Sequence, residues 1–156
     1  MSLLEVDELR VSFPGKGWRK KPVEVLHGVS LSVAPGETLG LVGESGSGKT
    51  TIGRAVLGLV TPSGGDIRFD GTSIARISAR DRRRLSRDIQ VVFQDPYTSL
   101  NPSMTVGDIL AEPLVIQGAT AKDARSRVRT LLDQVGLPSD AIERLPREFS
   151  GGQRQR

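Results

Sequence analysis

Gly43-Glu44-Ser45-Gly46-Ser47-Gly48-Lys49-Thr50-Thr51 is the stretch on which the fold of this 156-residue chain turns. It fits the phosphate-loop pattern of a glycine, four residues, then Gly-Lys-Ser/Thr in full. Its flanks fit as well. Residues 38–42 are short and almost wholly apolar, as expected of a strand buried on both faces of a parallel sheet. From residue 49 to 59, Ile52, Val56 and Leu59 recur at helical spacing until Thr61-Pro62 ends the pattern. In that context the backbone N–H groups of the loop and of the helix N-terminus converge on phosphate oxygens, with the macrodipole in their favour. Lys49 is expected to reach the β and γ phosphates, the Thr50 hydroxyl to ligate Mg²⁺, and Thr51 to touch the α phosphate. An ordinary Gly/Ser loop with a solvated lysine would need neither the strand nor the helix.

Ahead of the loop, Leu9, Val11 and Phe13, then Val25, His27, Val29, Leu31 and Val33, alternate with polar or small residues in the manner of half-buried strands. Residues 15–22 read as a basic loop and Pro35-Gly36 as a turn. Behind it, Ile67 and Phe69 alternate before Asp70-Gly71, a hairpin signal, and residues 89–93 form a second apolar strand. Then the character becomes helical. Thr105 with Asp108 and Thr120 with Asp123 have capping-box spacing. Ala124, Val128, Leu131, Leu132 and Val135 make one apolar face, which Gly136 and Pro138 bring to a stop. The expected organisation is one α/β domain in two parts. Residues 1–96 carry an antiparallel β start and a parallel-sheet core around the phosphate loop, and 97–156 form a helical subdomain.

Composition narrows the class. A 37% hydrophobic content is enough for a core, and 22 Lys plus Arg against 18 Asp plus Glu leave a modest excess of +4. With no cysteine there is no disulfide framework and no thiolate metal or redox site. No apolar run approaches the roughly 20 residues of a membrane span, and Glu5, Asp7 and Glu8 stand where a secretory signal would be basic and then apolar.

A phosphate loop alone does not separate kinases, GTPases, motors and transporters. The deciding residues are Phe149-Ser150-Gly151-Gly152-Gln153-Arg154-Gln155-Arg156, which resemble the signature motif of ABC ATPases, with Phe149 where that family more often has leucine. A serine at a helix start followed by two glycines makes a second anion site, which in the family faces the γ phosphate held by an opposite subunit. Between the motifs lies Val91-Val92-Phe93-Gln94-Asp95-Pro96. Walker B would place its Asp directly after the apolar run, whereas here Gln94 intervenes and the signature lies downstream. Gln94 instead resembles the Q-loop glutamine, whose amide reaches the metal and the attacking water.

Phe93-Gln94-Asp95-Pro96-Tyr97-Thr98-Ser99-Leu100-Asn101-Pro102, Thr105-Val106-Gly107, Glu112-Pro113-Leu114 and Arg147-Glu148-Phe149-Ser150 are similar to the peptide and nickel importer branch. That resemblance implies ATP and Mg²⁺ as cofactors and a place on the cytoplasmic face of the cell membrane. It implies a second ABC ATP-binding subunit in a homo- or heterodimer, membrane permease subunits, and an extracytoplasmic substrate-binding protein. It also puts Phe13, with Trp18 as runner-up, where an aromatic stacks on adenine. Walker B, the catalytic glutamate, the D-loop and the switch histidine would follow residue 156, so the chain is expected to be an incomplete ABC nucleotide-binding domain with exposed sheet edges and little turnover alone. A soluble ABC ATPase of DNA repair or translation, or an inactive nucleotide-binding remnant, is the alternative. Arg76, Arg80, Arg82, Arg83, Arg84 and Arg87 are expected to form a solvated face, not a nucleic-acid contact, since no aromatic residue interleaves them. His27, ahead of the loop, is expected to be structural.

Overall fold

A computed structural model describes residues 2–15, 21–93, 95 and 99–156. Strands β1 (Leu4–Phe13), β2 (Val23–Val33), β3 (Gly64–Phe69) and β4 (Thr72–Ser73) form an antiparallel sheet in the order β2-β1-β3-β4. Helix α1 (Lys49–Val56) and helix α2 (Ala79–Leu85) complete the first of two units, Met1–Ile89. The expected Asp70-Gly71 hairpin is present, with φ of 48° and 73°, the paired positive values that a two-residue turn between twisted strands requires.

Alternation along β1 and β2 is broken by bulges that composition does not announce. Glu8 takes φ 46° and donates its N–H to Ser30 Oγ at 2.9 Å, and the register shifts between Val6 and Leu9. Both of those residues therefore point into the core, together with Val11, Leu26, Ile52, Ala55, Ile67 and Ile74. The matching irregularity in β2 falls at Gly28, φ 93°. It puts Leu26 inside and leaves His27 exposed beside Glu24, Nδ1 to Oε2 3.4 Å, so His27 is a surface residue and not part of the packed strand face.

Two further expectations change. Residues 38–42 and 89–93 are not in strands, and Val42 and Val92 are each 95% exposed. Apolar sequence makes a buried strand only where neighbouring strands take its N–H and C=O groups and layers cover both faces. The described residues provide no such neighbours, and the sheet they form is wholly antiparallel. Leu59 likewise lies beyond the end of α1 and is exposed; Ala55 takes the inward place beside Ile52.

The second unit, Gln90–Arg156, holds α3 (Val106–Ile116), α4 (Ala121–Gln134), 3₁₀ turns at Ser139–Glu143 and Pro146–Glu148, and α5 (Gly151–Gln155). Both threonine caps form: Thr105 and Thr120 accept from the N–H of Asp108 and Asp123 at 3.2 and 3.1 Å. Asp123 uses its carboxylate on the Thr120 hydroxyl (2.7 Å) instead of reaching back to the backbone, as a side chain shorter than glutamate would. At the other end Gly136 (φ 67°) donates to Asp133 O and Leu137 to Leu132 O, a Schellman stop that carries Leu137 into the core with Val128, Leu132, Ala141, Ile142 and Phe149.

Helix α3 sits so close to the first 3₁₀ turn that a Cβ on Gly107 would lie 2.5 Å from Ile142 Cγ1 and 2.6 Å from its carbonyl oxygen. Gly107→Ala is therefore expected to lower stability by about 1–3 kcal/mol in urea unfolding. Adding Ile142→Val should not restore it, because the obstructing carbonyl is backbone.

Candidate nucleotide-binding site

The phosphate loop closes on its own lysine. Lys49 Nζ donates to Gly43 O and Glu44 O at 2.7 Å each and to Ser47 Oγ at 3.2 Å, so the ammonium has three oxygen acceptors within one turn of chain. Gly43, Gly46 and Gly48 all have positive φ, and a Cβ on Gly48 would lie 2.6 Å from Leu26 Cδ2. The loop residues 43–47 are exposed, Gly48 is buried and Thr50 is exposed.

Each of α2, α3, α4 and α5 begins with a serine or threonine whose side chain accepts a first-turn N–H. Helix α1 begins with Gly48, has no side-chain cap and carries no acid in its first turn. Its leading N–H groups and positive dipole end are thus left for an external anion, with a cationic side chain beside them. That arrangement fits phosphate oxygens. For Mg²⁺ the chain offers the Thr50 hydroxyl, and no cluster of three His, Cys, Asp or Glu occurs among the described residues. Such a donor set suits an ion whose other ligands are phosphate oxygens and water.

The far end of α1 is held by a residue whose arginine-rich surroundings suggested only solvated charge. Arg82 on α2 donates to Val56 O at 3.1 Å and to Ile74 O, bridging the helix C-terminus to the chain leaving β4. A Cβ on Gly58 would collide with the Arg82 guanidinium. Burial lowers the Arg82 pKa from its ordinary value, yet a guanidinium stays charged and complements the negative end of α1. The helix itself went unanticipated, although Ser78 and Asp81 form a cap signature: Asp81 N–H donates to Ser78 Oγ at 3.2 Å.

In the second unit Phe149 is buried and the next residue turns outward. Ser150 N–H donates to Gln153 Oε1 at 2.9 Å, and Gln153 N–H donates to Ser150 Oγ at 3.3 Å, a reciprocal capping box legible in Ser-x-x-Gln. The Ser150 hydroxyl accepts in this box and keeps its own proton to donate. Gly151 and Gly152 follow as the first helical residues, without side chains to obstruct approach. Phe13 ends β1 38% exposed and outside the core. Gln94 and Trp18 lie outside the described residues.

Residues 26–156 match the ABC transporter family. The chain belongs to that family. Its fold is that of ABC cassettes of known structure. It superposes on the ATP-binding cassette MJ0796, in a dimeric post-hydrolysis state bound to ADP and Pi, with a TM-score of 0.79 at 24% identity, over 97% of this chain and 65% of that one. It superposes on cbiO1 of Clostridium perfringens, part of an ABC transporter complex, with a TM-score of 0.74 at 27% identity, over 99% and 58%. A Brucella ovis protein provisionally named a peptide import ATP-binding protein is 55% identical over 139 residues, 88% of this chain and 44% of its own length. The glutathione import ATP-binding protein GsiA of Escherichia coli is 53% identical over 137 residues, 87% and 22%. This ABC chain thus spans less than half the length of these curated relatives.

Gly58 and Arg82 should behave as a coupled pair. Gly58→Ala in the native background meets both the Arg82 guanidinium and the left-handed backbone, φ 72°. In an Arg82→Ala background only the backbone strain remains, about 1 kcal/mol. Urea unfolding of the four proteins of this cycle is expected to show non-additivity of at least about 0.5 kcal/mol; additive effects would place the guanidinium elsewhere.

Proposed function

We propose that this chain is the nucleotide-binding part of an ATP-driven importer of peptides, working at the cytoplasmic face of the cell membrane. The observation that carries it is the uncapped N-terminus of α1 beside Lys49, in a chain whose other α-helices are all capped among the described residues. The names of the relatives, for peptide and glutathione import, favour a peptide cargo over nickel and an importer over a soluble ABC ATPase of repair or translation. No described helix is long and apolar enough to cross a membrane, so attachment would be through permease subunits.

Within this reading each residue has a distinct task. Lys49 exchanges the Gly43, Glu44 and Ser47 oxygens for those of the β and γ phosphates, trading neutral acceptors for charged ones that bind about twice as strongly. Gly43, Glu44, Ser45, Gly46, Ser47 and Gly48 offer backbone N–H groups, Thr51 reaches the α phosphate, and Phe13 stacks on the base. Thr50, with Gln94 by family resemblance, would hold Mg²⁺, which when bound neutralises charge on the phosphates. Gln94 orients the attacking water. Ser150, Gly151, Gly152 and Gln153 face the γ phosphate held by a second ATP-binding subunit, so that a closed dimer surrounds the nucleotide. A substrate-binding protein outside the cell would deliver the cargo to the permeases.

Lys49→Ala is expected to weaken ATP binding by about 30- to 100-fold, the equivalent of losing one charged hydrogen-bonding group, and AMP binding much less. Titration with both nucleotides checks this, and equal losses would remove Lys49 from the terminal phosphates. Ser150→Arg, by contrast, should leave the affinity of the monomer for ATP unchanged and abolish ATP-dependent crosslinking between two subunits. Retained crosslinking would remove the signature from the partner's site.

A further inference from the structure

Helix α5 follows the serine of the signature, yet packing does little to hold it. It buries no residue and opens with Gly151 and Gly152, weak helix formers. Helices α3 and α4 pack on each other and on the first 3₁₀ turn. Between them and α5 lies a cleft of about 380 Å³, lined by Leu110, Leu131, Val135 and Phe149 together with Gln153 and Arg156. Side chains that only line a cleft forfeit the contacts that would fix a direction across it.

A polar tie spans that space. Arg156 Nη1 donates to Val135 O at 3.1 Å and to Gly136 O at 3.3 Å. Both carbonyls belong to the stop of α4, where C=O groups without helical partners and the negative end of the dipole gather. The last turn of α4 carries Asp133 and no basic residue, so its compensating cation has to come from another element. Arginine suits the place because one guanidinium nitrogen has two protons to give and the group stays charged. Phe149, ahead of α5, is buried, and between Phe149 and Arg156 the reciprocal bonds of Ser150 and Gln153 form. The segment is thus pinned by packing before the serine and by hydrogen bonds after it.

We propose that Arg156 is a positioning residue, which by capping α4 aims the Ser150 hydroxyl at nucleotide held by a second subunit. This rests on the reading of the signature as part of a partner's site. Arg156 acts through the Ser150–Gln153 box and not by touching nucleotide itself.

The test is amide hydrogen exchange, followed by NMR, on the full 156-residue chain. In Arg156→Ala the Ser150 and Gln153 N–H groups are expected to exchange about tenfold faster, as the loss of one charged hydrogen bond implies, while the Asp123 N–H at the far end of α4 keeps its rate. Arg156→Lys retains a charge and a donor and should recover most of the protection. ATP-dependent crosslinking of two subunits should fall about tenfold in Arg156→Ala, with the ATP affinity of the single chain unchanged. Gly107→Ala is the control for stability, since it strains the same unit at Ile142, away from α5. It should lower the urea midpoint yet leave both amide rates and the crosslinking as in the native chain. Unchanged rates in Arg156→Ala, equal acceleration in Gly107→Ala, or faster exchange with undiminished crosslinking overturns the proposal. If circular dichroism shows Arg156→Ala unfolded, Arg156→Lys decides: a smaller acceleration confined to Ser150 and Gln153 supports the tie, and none overturns it. A native chain without ATP-dependent crosslinking removes the two-subunit reading instead, and exchange alone then decides whether Arg156 holds the serine.

Discussion

The contact between Leu26 and the place where Gly48 has no side chain is the constraint through which the sheet dictates the phosphate loop. Leu26 is almost fully buried on β2, with its Cδ2 2.6 Å from where a Cβ on Gly48 would stand. Burying such a side chain contributes about 1.5–3 kcal/mol, and the core collects Val6, Leu9, Val11, Ile52 and Ile67 around it. Helix α1 must therefore start at one point against the sheet, and only a glycine in the left-handed region can start it there. Arg82 holds the other end. A short helix fixed at both termini keeps its leading N–H groups in one direction without a ligand to hold them, which is what preorganised anion binding requires.

Where local chemistry decides structure, the residues announced it. Asp70-Gly71 makes the expected turn, Thr105 and Thr120 cap the expected helices, and Gly136 stops α4 where its sequence says it should. The helix start after Gly48 and the capped start at Ser150 were legible for the same reason, since each needs particular residue types at fixed spacing.

What was not legible depends on partners distant in sequence. The bulges at Glu8 and Gly28 shift which side chains face inward, and nothing in the alternation of β2 distinguishes Leu26 from His27 until β1 is laid beside it. Residues 38–42 and 89–93 have the composition of central strands, yet a strand is a property of a ladder and not of a segment. Helix α2 has too few apolar residues to show a helical period, and only the Ser78 cap marks its start. Arg82 could not be told from its neighbours by type; a carbonyl at each hand separates it from them.

Phe149 and Ser150 are consecutive, yet one fills the core of the second unit and the other presents its hydroxyl from a capped helix end. A single peptide bond joins the packing of Val106, Val128 and Ile142 to the direction of that hydroxyl. A demand on the direction of Ser150 would therefore act on those buried positions as well. A change that loosens that packing is expected to show twice, as a smaller folded population and as a displaced Ser150 cap.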